Sequence, residues 1–572
     1  MLATNDPSDN AHYLTGWRLG IVITCLFFGS FLIALDTNII NVALPQISSD
    51  FRALDDVAWY GTGYLLTVTA FQPVYGCFYR LFPTDIVYRL SIIIFEVGTI
   101  LCAAANSSPM FIVGRAVAGL GAAGVLQGAL SIIGQVVQLE KRPLYMGIVI
   151  SVFVITVCVG PPLGGAFTQH ATWRWCFWIN LPFGAVVLGG LTLFLRIKGQ
   201  ATKDRQLPLR AKLGSMDFLG CALFLAAVCC LLLALQWGGQ TKPWSSSTVI
   251  GLLVGSAALA LVFIFIQWKR QERALITLRV FCRRSVFTSA MVLFFLGGST
   301  YLPQDTYFLP FYFEAVHGIS PVSSGVNFIP LMLTEMVALV IIGAVVKQWG
   351  HYVPYILAGD LICIVGTALL TQLHPHTRTV QWAAYLVVTG LGLGLAMQLP
   401  YTAIQVTLSI PRVTAENAEP SQADIQSFQT WHSAEDLAMG NAIAVLFYQL
   451  GGAISIAMGQ TVVLSTLTEK LNGQIPGLTS NDVFEAGAAN LKALAPTAAD
   501  LAFLRDIWNE GISRTMILSV ALVAAAVPFT LGMEWLDAKR VARDRQAEEE
   551  EGQREIVKQE VGVNEVEKGS SV

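Results

Sequence analysis

Some fourteen stretches of about twenty mostly apolar residues divide this chain, and they limit its possible folds more than any other feature. A helix rises about 1.5 Å per residue and the hydrocarbon core of a bilayer is roughly 30 Å thick, so each stretch can cross as one helix. Lipid offers no partner to a backbone N–H or C=O, which leaves the helix as the conformation open to a single apolar run. The expected spans are 18–44, 58–79, 87–106, 109–137, 144–168, 175–195, 217–236, 247–268, 285–313, 322–346, 352–372, 380–408, 437–464 and 512–535. An all-α integral membrane protein follows, with the lipid bilayer as its solvent.

Composition agrees. Of 572 residues 54% are hydrophobic and 13% charged, where soluble domains carry roughly 25% charged residues. A net charge of −3 gives no reason to expect a nucleic-acid partner. The ten cysteines fall inside apolar runs or at their edges, so no disulfide framework is visible. The run after Arg18 is too long for a cleaved signal core and reads as a retained first span.

Several chemistries are excluded. No Gly-Lys dipeptide occurs, which removes a phosphate-cradling P-loop and ATP hydrolysis through it. The His-Glu-x-x-His and Gly-x-Ser-x-Gly signatures are missing, and the seven histidines do not cluster at ligand spacing within one span. The expectation is therefore a transporter rather than an enzyme, with no metal and no cofactor.

Basic residues orient the chain. Arg196, Lys198, Lys203, Arg205, Arg210 and Lys212 crowd one connection and Lys269, Arg270, Arg273, Arg279, Arg283 and Arg284 the next but one, which places both in the cytoplasm. An even number of spans puts both termini there as well, in keeping with Lys539, Arg540, Arg543 and Arg545 after the last span. The outward stretch near 465–511 is long enough to cap an exit, whereas the inward stretch 409–436 is polar and carries no legible motif. A faint internal echo also appears: Gly76, Arg80 and Pro83 after the second span match Gly343, Lys347 and Gly350 after the tenth. Such repeats are expected of transporters built from two related halves.

The motifs narrow this further. Leu35 to Pro45 (LDTNIINVALP), Gly114 to Gly124 (GRAVAGLGAAG), Gly160 to Gly165 (GPPLGG) and Trp173 to Gly184 (WRWCFWINLPFG) occupy the first, fourth, fifth and sixth spans. With Asp217 to Gly220 (DFLG), Leu309 to Phe313 (LPFYF) and Tyr448 to Ser455 (YQLGGAIS), they resemble the major facilitator superfamily, and within it the fourteen-span drug:proton antiporters, fungal toxin exporters above all. The resemblance implies two six-helix bundles with an extra central pair of helices. On that division 1–17 is a cytoplasmic tail, 18–196 the first bundle, 197–268 a linker with the extra pair, 269–535 the second bundle and 536–572 a charged cytoplasmic tail. It implies export of small lipophilic compounds such as toxins, secondary metabolites or drugs, driven by protons, by a monomer in the plasma membrane or, alternatively, the vacuolar membrane. The chain departs from the superfamily after the second span, where Arg80 replaces an acid and Pro83 a glycine, so a latch built on that acid cannot work here in its usual form. Thr156 likewise stands where the fifth-span signature begins with glycine.

Depth supplies the chemistry. Asp36 precedes Pro45, taken as the outer end of the first span, by nine residues, or roughly 13 Å at 1.5 Å per residue. Arg115 follows Pro109, where the fourth span enters from outside, by six residues, or roughly 9 Å. Charges so deep usually pair or line a wet cavity. The two are therefore expected near one another at the central cavity, where burial favours a neutral Asp36 and the guanidinium an ionised one. A static pair fixing the first helix to the fourth is the alternative. Glu96 in the third span lies at similar depth and is either a relay member or a structural partner of a neighbouring helix. Asp305 in the ninth, which the resemblance makes a cavity-lining helix, is a further coupling candidate, or else an acid in a wet vestibule; Glu335 and Asp360 are weaker ones.

Gly160, Pro161 and Pro162 must bend the fifth helix, and Gly164 and Gly165 permit close helix contact; in relatives that bend is thought to seal the two halves against leak. Gly119, Gly121 and Gly124 read as packing glycines, and Trp173, Trp175 and Trp178 as interfacial anchors. A lipophilic cargo needs a large apolar pocket with a few orienting polar groups, for which Asn38, Asn41, Gln127, Tyr301, Tyr307, Gln398, Tyr401 and Gln405 are candidates by helix membership. The competing reading is an importer on the same scaffold, carrying iron-siderophore complexes or basic amino acids into the vacuole.

Overall fold

The structure, a computed structural model, describes residues 14–544 and 547 apart from 54–55, 196–209, 211, 213–215, 240–241, 272–273, 305–308, 310–311, 320, 410–421, 472–473, 476–477, 479–482 and 484–490, and gives the backbone alone at 41–42, 45, 57–58, 158, 169, 303–304, 321–322, 422–435 and 493. Among these residues fourteen long helices follow one another, with two isolated bridges, Gly238 to Lys242 and His351 to Asp537. They are α1 (Gly16–Phe51), α2 (Val57–Leu81), α3 (Thr84–Ala103), α4 (Ser108–Val136), α5 (Arg142–His170), α6 (Asn180–Phe194, after the turn Trp175–Trp178) and α7 (Phe218–Trp237). Then come α8 (Ser247–Arg270), α9 (Arg284–Gln304), α10 (Ile329–Trp349), α11 (Val353–Leu370), α12 (Thr379–Ala396 and, past a break, Leu399–Leu408), α13 (Gln422–Leu471) and α14 (Ala498–Gly532).

Among the described residues twelve helices are long and apolar enough to cross a membrane, and α5 passes as two segments bent by 43°. The bend falls at Val157–Val159, one turn ahead of Pro161 and Pro162, where each proline ring crowds the carbonyl four residues back. α2 is diluted by Gln72 and its threonines and tyrosines, yet its 25 residues reach roughly 37 Å. Each expected span thus has its helix.

Helix ends differ from the expected spans. α1 runs on through Pro45 and stops only at Arg52, whose φ of 52° turns the chain left-handed. α9 is described as far as Gln304, and a π-helical turn, Tyr312–Val316, and a short helix, Pro321–Asn327, stand before α10. α13 and α14 reach well into the stretches 409–436 and 465–511, much of which is therefore helix rather than loop. Hydropathy marks where lipid ends, whereas a helix stops where its backbone is capped. For α14 that point is Thr497, whose hydroxyl accepts from Asp500 N–H while its own N–H donates to the Asp500 carboxylate at 3.1 Å. The outward part of α14 helps build a cap over the second half, in which Leu504, Ile507 and Trp508 pack with Leu471, Val483, Tyr312 and Leu373.

The packing repeats. α1 packs on α5 and α6, α2 on α4, and α3 on α4 and α6; eight helices on, α9 packs on α13 and α14, α10 on α12, and α11 on α12 and α14. Glycines fix the register. A Cβ on Gly98 would fall on the Ala118 backbone and one on Gly121 on Phe95; in the second half Gly366 meets Thr389 and Gly392 meets Cys363 at the same spacing. The halves join through α2 on α13 and α5 on α10. Those seams meet at Gly76, where a Cβ would stand 2.7 Å from Ala442 Cβ, and at Gly343, where it would stand 2.6 Å from the Pro143 carbonyl. The faint sequence echo thus marks the same crossing point in both halves. α7 and α8 pack on each other, and α7 lies along α2 and α13.

Candidate functional site

Arg115 and Asp36 form an ion pair of 2.5 Å with almost no exposure on either side. Gly119, one turn beyond Arg115, draws α2 so close that no Cβ fits there, and the Tyr64 ring of α2 lies 4.4 Å beneath the guanidinium. The Tyr60 carbonyl accepts from Arg115 Nε at 2.9 Å. Arg115 is thereby held by an ion, a carbonyl and a ring, while Oδ1 of Asp36 has no hydrogen-bond partner. Such a pair offsets much of the cost of burying its charges, but removing either partner strands the other.

Glu96 is buried between α3 and α6 against Gly184, neither of its oxygens accepts a hydrogen bond, and its electrostatic link is to Asp36. Asp360 on α11 accepts from Thr530 of α14 at 2.6 Å, and Glu335 is buried on α10, its backbone packed on the α12 glycines Gly390 and Gly394. Asp305 and Tyr307, and the side chain of Asn41, lie outside the described residues.

The amide candidates divide. Asn38 donates to Thr156 of α5 at 3.3 Å, and a Cβ on Gly160 would stand 2.8 Å from Asn38 Cβ. Gly164 likewise meets Ile39, so the signature's glycine face packs α5 onto α1 within one half. The bridge between halves is the inner part of α5, where Gly147 meets Leu339 and Gln398. Gln127 donates to the Ala438 carbonyl of α13 at 2.6 Å, a bond across the halves. Gln398 donates to the Leu339 carbonyl at 2.9 Å, Gln405 to Asn441 at 3.4 Å, and Tyr301 to Gln449 at 2.5 Å. Tyr401 is buried in the core shared by the two halves. Trp173 is not an interfacial anchor: it is 2% exposed, packs on Phe51, Phe111 and Phe177 and donates to Asp50 at 2.8 Å, whereas Trp175 is 51% exposed.

Tyr64, Asn441 and Gln449 enter these arrangements without having stood out in the sequence. An amide inside an apolar run was the available signal for the last two, and Thr156 already stood out as a departure whose hydroxyl now has a use.

The family described as Major Facilitator Superfamily matches residues 26–415. The MFS-type efflux pump MFS1 of Arthroderma benhamiae is 36% identical over 537 residues, covering 94% of this chain and 95% of that protein. Efflux pump hmp6 of Hypomyces subiculosus is 36% identical over 527 residues (92% and 88% covered), and efflux pump aflT of Aspergillus parasiticus 34% over 540 (94% and 99%). Among solved structures the human organic anion transporter MFSD10 superposes with a TM-score of 0.51 at 16% identity, covering 88% of this chain and 99% of that one, a likeness of fold alone. By its motifs, its repeated helix packing and these matches, the chain is a multi-pass membrane protein of the major facilitator superfamily.

Proposed function

We propose that this protein exports small lipophilic organic compounds, of the kind represented by fungal toxins, secondary metabolites and drugs, in exchange for protons. The relatives named efflux pumps support the direction of transport over import. The buried Asp36–Arg115 pair carries the coupling. In this arrangement Asp36 is paired with Arg115 at 2.5 Å. When the outer ends of the helices part, a proton from outside neutralises Asp36 and frees Arg115; when the inner ends part, Arg115 returns and the proton leaves for the cytoplasm. Exchange requires that cargo bind while Asp36 is ionised. Each proton moved down one pH unit supplies about 1.4 kcal/mol, enough for a tenfold cargo gradient at one-to-one exchange.

We include Glu96 and, from its sequence position alone, Asp305 as further coupling groups. The working unit is a monomer in the plasma membrane. The test is transport by purified protein in vesicles under an imposed pH difference: Asp36→Asn should abolish uphill export while the protein stays folded, and unaltered export by that variant removes Asp36 from the mechanism.

A further inference from the structure

The second segment of α12 starts at a break and carries Pro400 in its first turn. Gln398, Thr402 and Gln405 recur along it at intervals of four and three residues, so they share one face. All three are buried, as is Asn441 of α13, which meets Gln405. Each keeps a polar atom without a hydrogen-bond partner: Oε1 of Gln398, Oγ1 of Thr402, Oε1 of Gln405 and Nδ2 of Asn441. From the opposite half Gln127 adds its own Oε1 while its amide nitrogen holds the Ala438 carbonyl, and a Cβ on Gly134 would stand 2.7 Å from Leu437 and 3.9 Å from Gln405. Gln398 Oε1 lies against Gly147 of α5, so the five groups line the face that α12 and α13 present to α4 and α5 of the opposite half, on the side the base-rich connections assign to the cytoplasm.

Buried polar groups are nearly all partnered, because an orphan loses its water without gaining a bond. Five orphans along one face between the halves are explained if the groups find partners in a different arrangement, when the inner ends of the halves separate and these helices become walls. The stripe itself holds amides and a hydroxyl and no charged side chain, and it is flanked by the Tyr401 ring and by apolar Ile404, Met439 and Ile443. Donors and acceptors are both present. The nearest charges, Asp436 with Arg279 and Arg283 at the cytoplasmic end, are already paired with one another, so an ion within the stripe would find no counter-ion, whereas a neutral molecule with hydroxyls and carbonyls would satisfy the wall.

We propose that this seam is the cargo-loading site on the cytoplasmic side, selective for neutral lipophiles that carry both hydroxyl and carbonyl groups. The proposal rests on the efflux reading but not on proton coupling, so its test uses no gradient. Binding is measured on the full chain in detergent with three probes: testosterone, which has one hydroxyl and one ketone; its hemisuccinate, an anion; and rhodamine 6G, a cation. The wild type should bind testosterone about tenfold more tightly than either charged probe, a difference typical of one unmatched group. Gln405→Leu and Asn441→Leu should each weaken testosterone binding by about 2- to 10-fold, the range of one neutral hydrogen bond, and leave rhodamine 6G unchanged. Gln405→Asn should retain part of the affinity and Gln405→Glu should shift preference toward rhodamine 6G, so a leucine variant that fails to fold leaves the test intact. Equal binding of all three probes by the wild type, binding of none, or full testosterone affinity in the folded variants overturns the proposal. Protein that binds as expected yet ignores a pH difference in vesicles fails the coupling reading alone.

Discussion

Asp36 and Arg115 are tolerable in the interior only as a couple, since each supplies the charge that the other lacks. Arg115→Ala leaves a buried carboxylate alone and should cost about 3–5 kcal/mol of stability, visible as an earlier thermal transition of the purified protein, with transport lost. Asp36→Asn keeps the volume and an acceptor for Arg115 but leaves its charge unmatched, so it should lose coupling and also melt earlier than the wild type; unchanged melting of either variant would argue against the pair as seen. Sequence depth alone brought these residues together, because a charge so far inside has few permitted partners. The same reasoning did not reach Tyr64 or the Tyr60 carbonyl, which hold Arg115 through a ring face and a main-chain oxygen and leave no charge pattern to read.

Among the elements, α5 owes its 43° bend to two adjacent prolines. Replacing both Pro161 and Pro162 by alanine should straighten the helix and favour its backbone, since proline within a helix costs roughly 3 kcal/mol each relative to alanine. Dipolar spectroscopy between spin labels at the two ends of α5 would register the lengthening, and an unchanged distance would assign the bend to packing. The bend was legible because proline acts through its own ring. Helix ends were not: α1 passes its proline, α13 and α14 outrun their apolar cores, and capping at Thr497 depends on a side chain that hydropathy ignores. The α3–α4 crossing offers a paired test across the repeat. Gly98→Val and Gly366→Val force a side chain onto the facing backbone at matching positions, and each should destabilise by at least about 1–3 kcal/mol.

For the whole molecule, topology follows from base-rich connections. Cys282 is exposed between Arg279 and Arg283 in the connection assigned to the cytoplasm, while the other described cysteines are buried or half-buried. A membrane-impermeant maleimide should therefore label it in inside-out vesicles and not in intact cells; labelling from outside would invert the orientation.

Gly76 and Gly343 stand where one half crosses the other, each with no space for a single extra methyl group. One fastening is thus used twice, at places related by the internal repeat. A closure with two equal clasps gives way evenly: neither side can swing wide while its twin stays shut, so the halves must rock about a shared axis rather than peel from one edge. Crowding either clasp should bias both, and the protein would be propped ajar toward the cytoplasm.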